Sequence, residues 1–259
     1  MIFGRRKTRA AEEVDEVESD ASKADDEAVE EGGDEATVDP DPDTTPDETD
    51  EDAIDADELD ARDWRSAGPY DVSEVDLDED PPEGLPRIDL GSIVVTGFPG
   101  AELRLQVDEG SQAIVSAMLV LEDSALEIGA YAAPRTGGYW PELREDLIAA
   151  TTEAGGTTQL AEGPFGVELR RIIPVTAPSG EEGYQPSRMW VVEGPRWLLR
   201  GIVYGQAALA EGVEPPVAQF LTAFRSVVVR RGDQAMGPGD LLALKLPEDL
   251  VPDGADETE

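Results

Sequence analysis

Five arginines, Arg170, Arg171, Arg188, Arg196 and Arg200, crowd into segments of strand character. A guanidinium presents its donors in a planar fork that matches a carboxylate or a phosphate. Set across neighbouring strands, these side chains either form ion pairs with the domain's own carboxylates or make a basic patch for an anion, a partner or the chain's acidic arm. Tyr139 and Trp140, at the expected start of a helix, are the aromatic counterpart: an anchor for a partner if exposed, core if not.

Composition removes most other chemistry. The chain has no histidine and no cysteine, so it lacks the commonest general base and metal ligand, any Ser-His-Asp or Cys-His arrangement, disulfides and zinc-thiolate centres. Asp39, Asp41, Asp43, Thr45, Asp47 and Asp50 fall at the offsets of a calcium loop, but Thr44 stands where that loop needs glycine, and Pro40, Pro42 and Pro46 restrict it. That tract is read as solvated acid with weak cation binding. Glu142, Glu145 and Asp146 suit the first half of a helix, where the dipole favours anions, better than paired acid/base work. The Gly97–Gly100 and Gly137-Gly138 turns lack phosphate-loop spacing. No catalytic residue, metal ligand or cofactor is assigned.

The elements that must position the arginines centre on Arg188–Gly205, RMWVVEGPRWLLRGIVYG. Met189–Val192 and Arg196–Tyr204 read as two strands of a hairpin, with Glu193-Gly194-Pro195 as the turn. Trp190 and Trp197 flank that turn and are expected in the core. Short strands are expected around 88–90, over 92–96, 102–107, 113–122, 126–132, 157–162 and 167–175, the last with Glu168, Arg170 and Ile172 on a solvent side. Residues 176–186 read as a loop. Leu143, Leu147, Ile148 and Thr151 mark one amphipathic helix ended by Gly155-Gly156, and Val217, Phe220, Leu221, Phe224 and Val227 or Val228 mark a second, opened by Pro215-Pro216. A last apolar element covers 241–246. Strands in runs with connections too short for crossovers predict an α+β fold: a mostly antiparallel sheet with two amphipathic helices packed on it.

Charge divides the chain. Residues 1–86 carry 33 acidic and 7 basic groups, and 87–247 carry 20 and 13, within a total of −39. Residues 1–85 cannot bury enough apolar area to offset about 1–2 kcal/mol of backbone entropy per residue, so they are expected to be a disordered acidic arm. Residues 86–247 form the single domain and 248–259 an acidic disordered tail. Within the arm, Trp64, Tyr70, Val72, Val75 and Leu77 read as a linker element packing loosely on the domain edge, or as a recognition segment that folds on a partner. The negative charge repels nucleic acid and anionic lipid and favours a partner with a basic surface. No apolar run is long enough to span a membrane and the opening MIFGRRKTR is no signal peptide, so a cytoplasmic location is expected.

GFPGAELRLQV, LEIGAYAAPRTGGYWPELREDL, GPFGVELRRIIPV and the hairpin itself resemble the actinobacterial family catalogued as domain of unknown function 3710, over roughly Pro86–Pro247. The order of elements also resembles the α/β/α sandwich of the Mog1/PsbP-like proteins. The resemblance implies no activity, cofactor or catalytic residue, and a cytoplasmic location. The leading functional expectation is a non-enzymatic interaction or scaffold module whose acidic arms recruit a basic partner. Two others stand beside it: a small-molecule or anion binder, or an enzyme, using arginines and carboxylates in a sheet-edge cleft, and an acidic arm that mimics nucleic acid over an arginine patch.

Overall fold

The computed structural model describes residues 54–79, 85–177 and 179–247. The acid tract 39–50, the tail 248–259 and the disorder expected over most of the arm lie outside the described residues. The chain first forms a short helix, α1 (Ala56–Asp60), capped where Asp55 accepts from the Glu58 amide, and a two-residue strand, β1 (Tyr70–Asp71). Strands β2 (Arg87–Asp89) and β3 (Ile93–Thr96) follow, then β4 (Glu102–Val107), β5 (Ile114–Leu121) and β6 (Ser124–Ala132). Helix α2 (Tyr139–Glu153) leads into β7 (Thr157–Gly163), β8 (Gly166–Thr176), β9 (Glu182–Gly194) and β10 (Trp197–Gly205). Helices α3 (Gln206–Leu209) and α4 (Val217–Arg225) and the strand β11 (Val228–Val229) complete the set.

Seven strands form one antiparallel sheet in the order β4-β5-β6-β10-β9-β8-β7. The hairpin β9–β10 lies at its middle, because β10 also pairs along its full length with β6. A four-stranded sheet, β1-β11-β3-β2, packs against one face of it together with α4, and α2 lies on the other. The expected α+β class holds, with strand outweighing helix by 40% to 19% of the described residues.

Alternation along each strand sorts side chains between the two faces. Leu126, Ile128, Trp190, Trp197, Leu199 and Val203 meet Phe220 and Phe224 of α4 in the larger core. Met189, Val191, Leu198 and Ile202 point the other way, towards Trp140, Leu143 and Ile148 of α2. Phe224 touches the rings of Phe165 and Trp190 edge-on, 5.1 and 5.8 Å between centroids, a geometry that ring quadrupoles favour.

Four local expectations are corrected. The hairpin turn is Pro195-Arg196, since Gly194 and Trp197 already pair; Arg196 takes a left-handed φ of 64° that a side chain adopts at a cost. Gly194 is needed there because the Trp197 indole lies over it, 2.1 Å from where a Cβ would stand. The loop expected over 176–186 is partly strand: β9 begins at Glu182, and residues 173–176 pair with 182–185 beyond the ends of β7 and β10. Helix α4 stops at Arg225, and Val228–Val229 pairs with β3 on one side and β1 on the other.

The fourth correction concerns the boundary at Pro86. Residues 54–79 are integral to the domain. β1 pairs in parallel with β11, Trp64 packs over Gly166 and donates to the Leu59 carbonyl at 2.8 Å, and Arg144 of α2 grips Asp60 through two hydrogen bonds of 3.0 and 2.8 Å. The acidic composition hid this segment because its few apolar and aromatic residues have no period of their own; Trp64 packs on the core singly, and Tyr70 joins through its pairing with Val228.

Candidate functional site

The five arginines expected to make one patch are split by strand alternation. Arg170 and Arg188 point to the larger core, and Arg171 and Arg200 to the α2 side. Arg196 stands in the hairpin turn, donating to the Gly232 carbonyl at 3.4 Å.

Arg188 is buried and fully occupied. Its Nε and Nη2 donate to the two carboxylate oxygens of Glu168, both at 2.9 Å, and Nη1 donates to the carbonyls of Ala210 and Gly212 at 3.0 and 2.8 Å. Glu168 also accepts from Trp190 Nε1 at 2.7 Å and from Arg170 Nε at 2.8 Å. Arg170 reaches on to the Glu211 carbonyl at 3.1 Å. Glu168 is 1% exposed, so the side of β8 expected to face solvent is here sealed. A charged network with every acceptor used fastens the sheet to the loop 210–212 and takes these two arginines out of partner binding.

Tyr139 and Trp140 open α2. Trp140 is 6% exposed and donates to the Val167 carbonyl at 3.2 Å, with Arg144 over its ring at 5.6 Å. It belongs to the smaller core and is no exposed anchor. Tyr139 packs beside it and reaches Gly239. The helix begins after Gly138, which has no capping side chain; Glu193 of β9 supplies the cap, accepting from the Trp140 amide at 2.7 Å. A cleft of about 200 Å³ between residues 59–65 and this helix end is lined by Trp64, Trp140, Phe165 and Glu193. It is smaller than a usual ligand pocket of roughly 300–1,000 Å³. A groove of about 900 Å³ lies beside β2, but its Arg87 and Arg230 are engaged with carbonyls and with Asp89.

The α2 side of the sheet differs from both. Arg200 lies over the ring of Tyr131, 4.9 Å from its centroid, and that ring folds back over Gly129, where a Cβ would stand 3.1 Å from its hydroxyl. Glu127 accepts from Tyr204 at 3.1 Å and stands 4.0 Å from Arg200, beyond hydrogen-bond range. Arg171 enters from β8, in the row of residues where Ser187 separates it from Tyr204. Burial, with Glu127 nearby, raises the Tyr204 phenol far above its usual range. Burial likewise raises Tyr131 and lowers Arg171. Glu127, Tyr131 and Tyr204 are not among the residues singled out from the sequence. Their signal lay in the alternation of LEIGAYA and WLLRGIVYG, which puts Glu127 and Tyr131, and Arg200 and Tyr204, on one side of two strands that turn out to be neighbours.

These features define an α+β protein in which one long antiparallel sheet carries helices on both faces and a polar patch beside α2. Residues 68–253 match the family described as protein of unknown function (DUF3710), and the chain belongs to that family. It is also similar to the solution structure of cyanobacterial PsbP (CyanoP) from Synechocystis sp. PCC 6803, with 14% identity and a TM-score of 0.34 over 60% of this chain and 99% of that one. No curated protein matches it.

Proposed function

We propose that this protein is a non-enzymatic interaction module, cytoplasmic in setting, that presents acidic segments to a partner with a basic surface. The observation that carries this reading is a contrast in how charge is used. Among the described residues eight ion pairs join arginines to the domain's own carboxylates. Residues 1–53, by contrast, hold 21 acidic groups against 5 basic ones, and 248–259 hold 6 against none. Excess charge of one sign steers a complementary partner and suppresses contact with nucleic acid and anionic membranes.

The test is affinity capture with the full chain at about 50 mM salt, repeated at about 500 mM, where exposed charges are screened beyond a few ångströms. A second arm uses the chain with the Asp and Glu of residues 11–52 replaced by Asn and Gln. A defined basic protein retained at low salt, and lost in both other conditions, is expected. Retention of the same proteins by the neutralised chain, or recovery of none, would overturn the reading.

A further inference from the structure

We infer that the α2 side of the seven-stranded sheet binds a phosphoryl group between Arg171 and Arg200. The two guanidiniums are the unusual feature. Neither donates a hydrogen bond to any described residue, and the Nε of each is buried without a partner. On the opposite face of the same strands, Arg170 and Arg188 are tied to Glu168 and three backbone carbonyls. The chain thus satisfies its buried Arg188, whereas the half-buried Arg171 and Arg200 each keep a buried Nε without an acceptor.

The lack is shared by the surroundings. The described residues have five buried side-chain polar atoms without a hydrogen-bond partner: Ser116 Oγ, Arg171 Nε, Ser187 Oγ, Glu193 Oε2 and Arg200 Nε. All five belong to the face that carries α2, as the strand registers require. Buried polar groups are ordinarily paired, so the unpaired donors on this face lack an acceptor, whereas Glu193 Oε2, at the start of α2, is itself an acceptor. Four of the five can donate. Ser116 and Ser187 are 1% and 4% exposed, and Ser187 stands between Arg171 and Tyr204 in one row across β8, β9 and β10.

Glu127 does not fill the gap. It is the acidic group beside both arginines, yet it stays 4.0 Å from Arg200 and spends an oxygen on Tyr204. Its charge against two guanidiniums leaves the site positive. A planar carboxylate is satisfied by one guanidinium fork, whereas here donors come from two strands separated by a third, Arg171 in the row of Ser187 and Tyr204 and Arg200 four residues away along β10. A tetrahedral group with three or more oxygens suits donors arriving from several directions. Its charge would also offset the burial that lowers Arg171. The phosphoryl group could be free or carried on a polypeptide side chain; the chemistry at the arginines is the same.

The experiment is calorimetric titration of the full chain with inorganic phosphate against chloride at matched ionic strength, and then with a short phosphoserine peptide and its unphosphorylated form. Phosphate is expected to bind in the millimolar range, with Arg171→Gln or Arg200→Gln weakening it at least tenfold and Ser187→Ala severalfold. Tighter binding of the phosphopeptide than of phosphate would identify a protein-borne group, and the reverse a small phosphate ester. Equal responses to phosphate and chloride, or unchanged binding in both arginine variants, would overturn the assignment. Because neither arginine donates a hydrogen bond to a described residue, and Arg200 has only the 4.0 Å ion pair with Glu127 and the Tyr131 ring, both variants are expected to melt within a few degrees of the parent in phosphate-free buffer. A variant that does not fold would show that they brace the sheet, which also overturns it. None of these outcomes depends on the acidic segments, so this site and the proposed function stand or fall separately.

Discussion

Arg188 and Glu168 hold each other through two parallel hydrogen bonds of 2.9 Å, with 2% and 1% of their side chains exposed. The pair joins the neighbouring strands β8 and β9 and carries Trp190, Arg170 and the loop 210–212 with it. Removing Glu168 leaves the Arg188 charge buried without its counter-charge, which costs about 3–5 kcal/mol, and removing Arg188 leaves the buried Glu168 only Arg170 as a charged partner. Glu168→Gln should therefore lower the midpoint of urea unfolding sharply, and Arg188→Met similarly. The double variant should lose less than the two single losses added together, because the groups act as a unit.

Trp140 gives a second prediction. As core of the α2 face, Trp140→Ala should destabilise by about 3–5 kcal/mol, measured by denaturant unfolding. Tyr184, 75% exposed on the projecting end of β9, provides the contrast, and Tyr184→Ser should change stability by less than about 0.5 kcal/mol.

Residues 54–79 supply a third. The chain beginning at Ile54 keeps the Asp60–Arg144 pair, Trp64 and β1, whereas the chain beginning at Pro86 loses all three along with the hydrogen bond from Trp197 Nε1 to Asp71 at 2.9 Å. Thermal unfolding should place the shorter chain well below the longer one. Asp71→Ala alone should cost about 1–3 kcal/mol, since the buried indole N–H loses its acceptor.

The same aspartate sets a pH dependence. Burial pushes its carboxyl upwards, but hydrogen bonds from the Ser73 hydroxyl and amide and from Trp197 outweigh it and hold Asp71 below the usual carboxylate range. A carboxyl depressed in the folded state binds fewer protons there than in the unfolded chain. Its contribution is therefore present above the unfolded value near 4 and is lost as the pH falls through the lower folded one. The stability difference between wild type and Asp71→Asn should be constant from pH 6 to 8 and should shrink below about pH 4. With no histidine in the chain, no imidazole adds a step between pH 5 and 8.

The strands, the two main helices and the antiparallel class were legible in the sequence because they rest on local periodicity and on punctuation by glycine and proline. ELRLQV alternates and is β4; LREDLIAATTE is amphipathic and lies within α2. The two-residue strands β1 and β11 were not legible, because only pairing with each other and with β3 makes them strands.

What the sequence determined by itself is the chemistry at hand: arginines and carboxylates with no imidazole or thiol, and an uneven spread of charge. Which arginines go without a hydrogen bond among the described residues was decided by the tertiary structure. Arg170 and Arg171 are adjacent in the chain, and a strand sends adjacent side chains to opposite faces. Arg170 therefore meets Glu168 and Arg188 in the larger core, and Arg171 meets Arg200, Tyr204 and Glu127 beside α2. Alternation could be read from the chain; what lay against each face depended on the packing of α4 on one side and α2 on the other.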